Sequence, residues 1–137
     1  MDADISFLDE LSGLFSHISV RVSSYFESPG EWARSFSAKR DEIASALDKI
    51  KHGVPPSVAL TDAVKTGLPR HVSREEVVEC IRVLGGDELS IERERIVTAD
   101  GRMKEIASRA RAEADEANKI RSALFALIAL GAIIILI

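Results

Sequence analysis

Cysteine is almost absent from this 137-residue chain. Cys80 stands alone, which excludes an internal disulfide and a cysteine-built zinc site. Aromatic residues make up only 5%, so the 46% apolar content is carried mostly by Ala, Leu, Ile and Val. Four prolines and eight glycines are too few for a collagen-like or Pro-rich chain. There is no excess of basic charge: 18 Lys and Arg stand against 22 Asp and Glu, a net charge of −4. That balance argues against nucleic acid as a partner, because non-specific binding to DNA or RNA needs a basic surface. Charged residues reach 29% but are interleaved with apolar ones, unlike a disordered tail.

Catalytic signatures are missing too. No GxSxG, HExxH or CxxC occurs, and Gly85-Gly86 lacks the lysine and the spacing of a phosphate loop. His17, His52 and His71 fall on three separate segments with no ligand spacing between them. No catalytic residue, cofactor site or metal site is therefore expected, and the chain does not read as an enzyme.

What is present begins at the C-terminal end. From Ala123 to Ile137 the sequence ALFALIALGAIIILI holds no charged or hydrogen-bonding side chain. A helix from Ser122 onward is roughly 24 Å long, somewhat short of a hydrocarbon core of about 30 Å. A buried core helix is the alternative, but a small soluble domain can rarely bury a helix that is apolar on every side. The flanking Lys119 and Arg121 can snorkel and lengthen the apolar stretch. By the positive-inside rule they keep residues 1–121 cytoplasmic. The expected organisation is a helical domain over residues 1–121 and a C-terminal single-pass membrane anchor over 122–137. The opening MDADISFLDEL carries acids from the start and resembles neither a signal peptide nor a span.

The remainder reads as all-α. Ile5, Leu8, Leu11, Phe15, Ile18, Val22 and Phe26 recur at steps of three and four, a helical stripe. Ser28-Pro29-Gly30-Glu31 is a start signal for a short helix carrying Trp32 and Phe36. Ser37 is the expected cap of the next helix, with Ile43, Leu47 and Ile50 inward and Gly53 at its end. Val54-Pro55-Pro56 forbids continuation, and Ser57 restarts a helix with Val58, Leu60 and Val64 that closes at Gly67. Ser73 with Glu76 forms a capping box before Val77, Cys80, Ile81 and Leu84, and Gly85-Gly86 stops that helix. No stretch alternates as a strand does.

One long helix is expected from about Ser90 to Ile137, roughly 70 Å, with Gly101 as a candidate kink. Met103, Ile106, Ala107, Ala110, Ala114 and Ala117 mark a face with small residues. The whole is expected to be an antiparallel bundle of five to six helices. Trp32 reads as a packing anchor and Cys80 as a buried, inert thiol. Two charge clusters remain: Arg74, Glu75, Glu76 and Glu79, and then Glu88, Glu92, Arg93, Glu94 and Arg95. They read either as solvated faces, with i,i+4 pairs contributing about 0.2–0.5 kcal/mol each, or as a docking surface for a cytoplasmic partner.

The order of these features resembles the stage III sporulation protein AB family. Ser28-Pro29-Gly30-Glu31-Trp32-Ala33 is similar to that family's proline-containing turn into PLPEAL. Ser73–Gly85 resembles its helix ending in an apolar residue and Gly, and Leu89-Ser90-Ile91-Glu92-Arg93-Glu94-Arg95 resembles its LG-SDREDQ segment. The Arg/Glu/Ala stretch to Arg121 and the apolar Leu124–Ile137 match its tail. Ile91 stands where the family has Asp, and the family's N-terminal membrane helix has no counterpart here. The resemblance implies a fold like the cytoplasmic domains of type II secretion and type IV pilus platform proteins. It implies a component of a sporulation channel in the mother-cell membrane, beside a secretion-type ATPase and other channel-complex proteins. The alternative is a tail-anchored adaptor whose long helix self-associates into a homo-oligomer.

Overall fold

The computed structural model describes residues 2–84 and 93–136. The described residues form six α-helices: α1 (Asp2–Tyr25), α2 (Pro29–Ser35), α3 (Asp41–Lys51), α4 (Pro56–Gly67), α5 (Arg74–Arg82) and α6 (Arg93–Leu136). No strand occurs among them. The expected stop at Gly85-Gly86 and the expected start near Ser90 lie outside the described residues, as do Glu88 and Glu92.

α1 is the central element. Phe7, Leu8, Leu11, Leu14, Phe15, Ile18 and Val22 line its inner face and are buried. Phe7 and Leu14 belong to that stripe although the strict three-four count skips them. Phe26, counted in it, lies beyond the helix end with φ of 54° and a 71% exposed side chain. Against α1 runs the first half of α6, whose buried face is Ile96, Ala99, Met103, Ile106, Ala107 and Ala110. Ser16 Oγ donates to Asp100 Oδ1 at 2.8 Å, and Arg111 pairs with Asp9. Rising numbers on α1 meet falling numbers on α6, so the two helices are antiparallel. The helix continues without interruption through Gly101, around which there is open space.

α2, α3, α4 and α5 close the same core with Trp32, Ile43, Leu47, Ile50, Leu60, Val64, Val77, Cys80 and Ile81. Each large aliphatic side chain so buried contributes about 1.5–3 kcal/mol. Trp32 is 1% exposed, in line with a packing anchor. Phe36 follows the last residue of α2 and is half-buried. Val58 points outward, 52% exposed, and α4 presents Ala59, Leu60, Ala63 and Val64 to the core instead.

The helix ends follow local chemistry with one exception. Pro29 occupies the first turn of α2 after N-cap Ser28, whose side chain makes no cap bond. Gly53 takes φ of 98° after α3, the left-handed conformation that ends a helix cheaply only at glycine. α4 begins at Pro56, one residue before the expected Ser57. Ser73 Oγ accepts from Glu76 N at 3.5 Å at the start of α5. The exception is α3. Its N-cap is Arg40, not Ser37, and no local side chain caps it. The Glu10 carboxylate of α1 does so instead, accepting from Lys39 N at 2.9 Å and from Arg40 N at 3.0 and 3.2 Å.

Candidate membrane segment and docking surface

α6 changes character along its 44 residues. Up to Ala110 one face is buried in the core; from Ile120 onward the large apolar side chains among the described residues are all exposed, Leu124, Phe125, Ile128, Ile134 and Leu136 included. Among the described residues α6 is the one helix long and apolar enough to cross a membrane. None of its most apolar window is buried against the rest of the chain, which sets it apart from a core helix. Lys119 and Arg121 stand exposed at the boundary between the charged and apolar parts. They are close enough to Ser122 to place their cations at a headgroup level.

The charged residues of the two clusters are sorted by the packing of α5 on α6. Glu79 Oε2 accepts from Arg102 Nη1 at 3.3 Å, and Glu76 Oε2 from Arg109 Nη2 at 3.5 Å. These two pairs bridge the helices and show them to be antiparallel as well. Glu79 thus already has a partner within the chain. Arg74 and Glu75 sit at the opposite end of α5, exposed. Arg95 is exposed near the start of α6 and borders a cleft of about 320 Å³ with Glu79, Cys80, Val83 and Arg102. Arg93 and Glu94 belong to the first turn of α6, and Glu88 and Glu92 lie outside the described residues. Among the described side chains, Arg74 and Glu75 therefore lie at one end of α5, and Glu79 with Arg95 toward the other. The roles of Arg102 and Arg109 as bridges were not legible in the sequence, since nothing local joins them to residues more than twenty positions away.

Cys80 lines that cleft and is 2% exposed. Burial raises its thiol pKa above the ordinary value, with Arg102 acting in the opposite direction. A protonated, enclosed sulfur fits an inert core residue.

The histidines remain apart. His17 Nε2 lies 2.8 Å from Ser35 Oγ and its ring leans on Phe36 at 5.4 Å. The Ser35 hydroxyl donates to Trp32 O at 3.1 Å, so its proton is directed away from the imidazole. His52 bonds Asp48 O at 2.7 Å at the end of α3, and His71 is 3.9 Å from Glu113 of α6. Among the described residues no group of three His, Cys, Asp or Glu side chains is placed to hold a metal ion.

No known protein family, curated protein or solved structure matches this chain.

Proposed function

We propose that the protein is a non-catalytic, membrane-anchored helical adaptor. Residues 1–121 form a cytoplasmic antiparallel bundle and residues 122–137 a single span of the cell membrane. One observation carries the reading: the helix that seals the core is the same helix that continues as a fully exposed apolar rod. In water such a rod leaves large apolar side chains unburied at about 25 cal/mol per Å², and a bilayer removes that cost. Lys119 and Arg121 favour the orientation with the domain in the cytoplasm.

The finer reading is a component of a sporulation-specific transenvelope channel in the mother-cell membrane that docks a secretion-type ATPase. It rests on the resemblance of the Ser28–Ala33, Ser73–Gly85 and Leu89–Arg95 segments. The docking surface is then drawn from Arg74, Glu75, Glu79, Glu88, Glu92, Arg93, Glu94 and Arg95. Arg95 stands about 40 Å along α6 from Ser122, well clear of the bilayer and open to a cytoplasmic partner.

Flotation on neutral phospholipid vesicles tests the anchor. The full chain is expected to float and a chain ending at Arg121 to stay in the soluble fraction; equal partitioning overturns the reading. Glu92→Lys with Glu94→Lys is expected to weaken capture of the ATPase at moderate salt while leaving helicity intact. Unchanged capture removes that surface. Sedimentation of the chain ending at Arg121 as a discrete dimer or tetramer supports the self-associating adaptor instead.

A further inference from the structure

A groove of about 330 Å³ runs between the start of α1 and the part of α6 that precedes the apolar rod. Ser6 and Asp9 line it from α1, and Arg111, Asp115 and Asn118 from α6. Asp9 pairs with Arg111, while Ser16 meets Asp100 farther back along α6. The residues of α1 before Asp9 therefore lie nearer to the apolar segment, and the groove sits at that end of the domain.

Its height follows from the helix. Asn118 is about 6 Å along the axis from Ser122, and the headgroup layer of one leaflet occupies roughly 5–8 Å. Asn118 thus stands within that layer. Asp115 stands about 5 Å farther out, at the outer edge of the layer.

The lining divides into an anionic and a donating part. Asp115 is exposed and forms no ion pair among the described residues. The Asn118 amide and the Ser6 hydroxyl are exposed donors. Arg111 is held by Asp9, but its guanidinium carries five N–H groups and keeps some for a second acceptor. A ligand that satisfies both parts has an ammonium group and, a few bonds away on the membrane side, a phosphate. Carboxylates outnumber cations around the groove. Asp2 and Asp4 open α1 and stand with Asp115 and Glu116 against Lys119 and Arg121, while Asp9 and Arg111 cancel. That excess attracts an ammonium and repels a headgroup of net negative charge.

The same face of α6 continues into the apolar segment. Steps of four and three lead from Arg111, Asp115 and Asn118 to Ser122, Ala126 and Ala129, with Phe125 along one border. Small side chains there let an apolar chain approach the helix closely.

We propose that the groove binds one phosphatidylethanolamine molecule of the bilayer that α6 enters. Its ammonium is held by Asp115 and its phosphate by Asn118, Arg111 and Ser6. One acyl chain lies along Ser122, Ala126 and Ala129. The inference rests on the membrane reading of α6. A primary ammonium donates a charge-assisted hydrogen bond to the carboxylate, whereas the trimethylammonium of phosphatidylcholine has no N–H to give. The bound lipid joins α1 to α6 where the protein core ends.

The test places the full chain in detergent micelles with equal amounts of phosphatidylcholine, phosphatidylethanolamine and phosphatidylglycerol. Lipid retained on the protein is counted by native mass spectrometry. Phosphatidylethanolamine is expected to exceed phosphatidylcholine by about fivefold, the upper end for an exposed charged pair. The preference is expected to vanish in Asp115→Asn and to persist in Glu113→Gln, which removes a carboxylate that faces His71 instead. Equal retention of the two zwitterionic lipids overturns the proposal. So does phosphatidylglycerol retained above phosphatidylethanolamine, or an equal loss of preference in both variants, which would mark a general charge effect. Soluble phosphoethanolamine retained in place of the lipid marks a site for a free small molecule and overturns the lipid assignment. Failure of the full chain to float on neutral vesicles sinks the membrane reading itself and is seen before any lipid is counted.

Discussion

The Phe7 ring lies where a side chain on Gly67 would have to be: a Cβ built there meets Phe7 Cδ2 and Cε2 at 2.5 Å. Phe7 is wholly buried, so the ring has nowhere to move without opening the junction of α1 and α4. Glycine at this position serves close approach, not an unusual backbone angle.

Gly67→Ala is accordingly expected to destabilise the fold by about 1–3 kcal/mol, the usual range for overpacking. Urea unfolding of the full chain in detergent measures it. Phe7→Leu combined with Gly67→Ala should recover part of the loss, since neighbours that share one space do not add. Strict additivity of the two changes would show that the contact is not what constrains Gly67.

Glu10 acts as a cap delivered from another helix. Glu10→Ala leaves the backbone N–H groups of Lys39 and Arg40 without their carboxylate, and loss of such a cap costs about 1–2 kcal/mol. Exchange of the first amides of α3 should rise selectively. Ser37→Ala, by contrast, should leave α3 unaffected.

The bridges between α5 and α6 are exposed and individually weak, about 0.2–1 kcal/mol each. Glu79→Arg is expected to lower stability slightly more than that, because it sets two cations side by side. Arg102→Glu added to it should restore the loss. Recovery in the double variant, measured at low salt and diminished at high salt, distinguishes a paired bridge from two independent surface charges.

Cys80 supplies a pH dependence with a defined sign. Burial raises the thiol pKa in the folded state above its unfolded value, so the folded chain holds this proton more tightly. The corresponding stability is fully present below the unfolded thiol pKa and is lost as pH rises through the folded one. Alkaline conditions should therefore loosen the α5–α6 junction, and Cys80→Ala should remove that part of the alkaline loss. At neutral pH the native thiol should react with iodoacetamide far more slowly than after unfolding.

Much of the architecture was legible in residue spacing. The period of three and four in α1, the Pro29 start, the Gly53 stop and the capping serine of α5 are local signals, each fixed by a backbone or side-chain requirement within a few residues. The apolar run after Ser122 needs no tertiary context either, since its uniform hydrophobicity already sets it against water. Where the count of apolar positions misled, a neighbouring helix decided. Val58 turned outward, 52% exposed, and Phe26 fell beyond the end of α1 at a positive φ, whereas Phe7 and Leu14 turned inward because α1 is covered on a wider arc than one stripe.

Sequence alone determined that this chain is helical, that its last helix is long, and that its end is apolar all round, because each of these is a property of near neighbours along the chain. Only the tertiary structure decided which charges are occupied and which are free. Glu10 capping α3, Glu76 and Glu79 bridging to α6, and Asp9 holding Arg111 join residues distant in number but adjacent in space. The antiparallel passage of α1 and α5 along α6 sets those distances, because it brings residues far apart in number to the same level of the long helix.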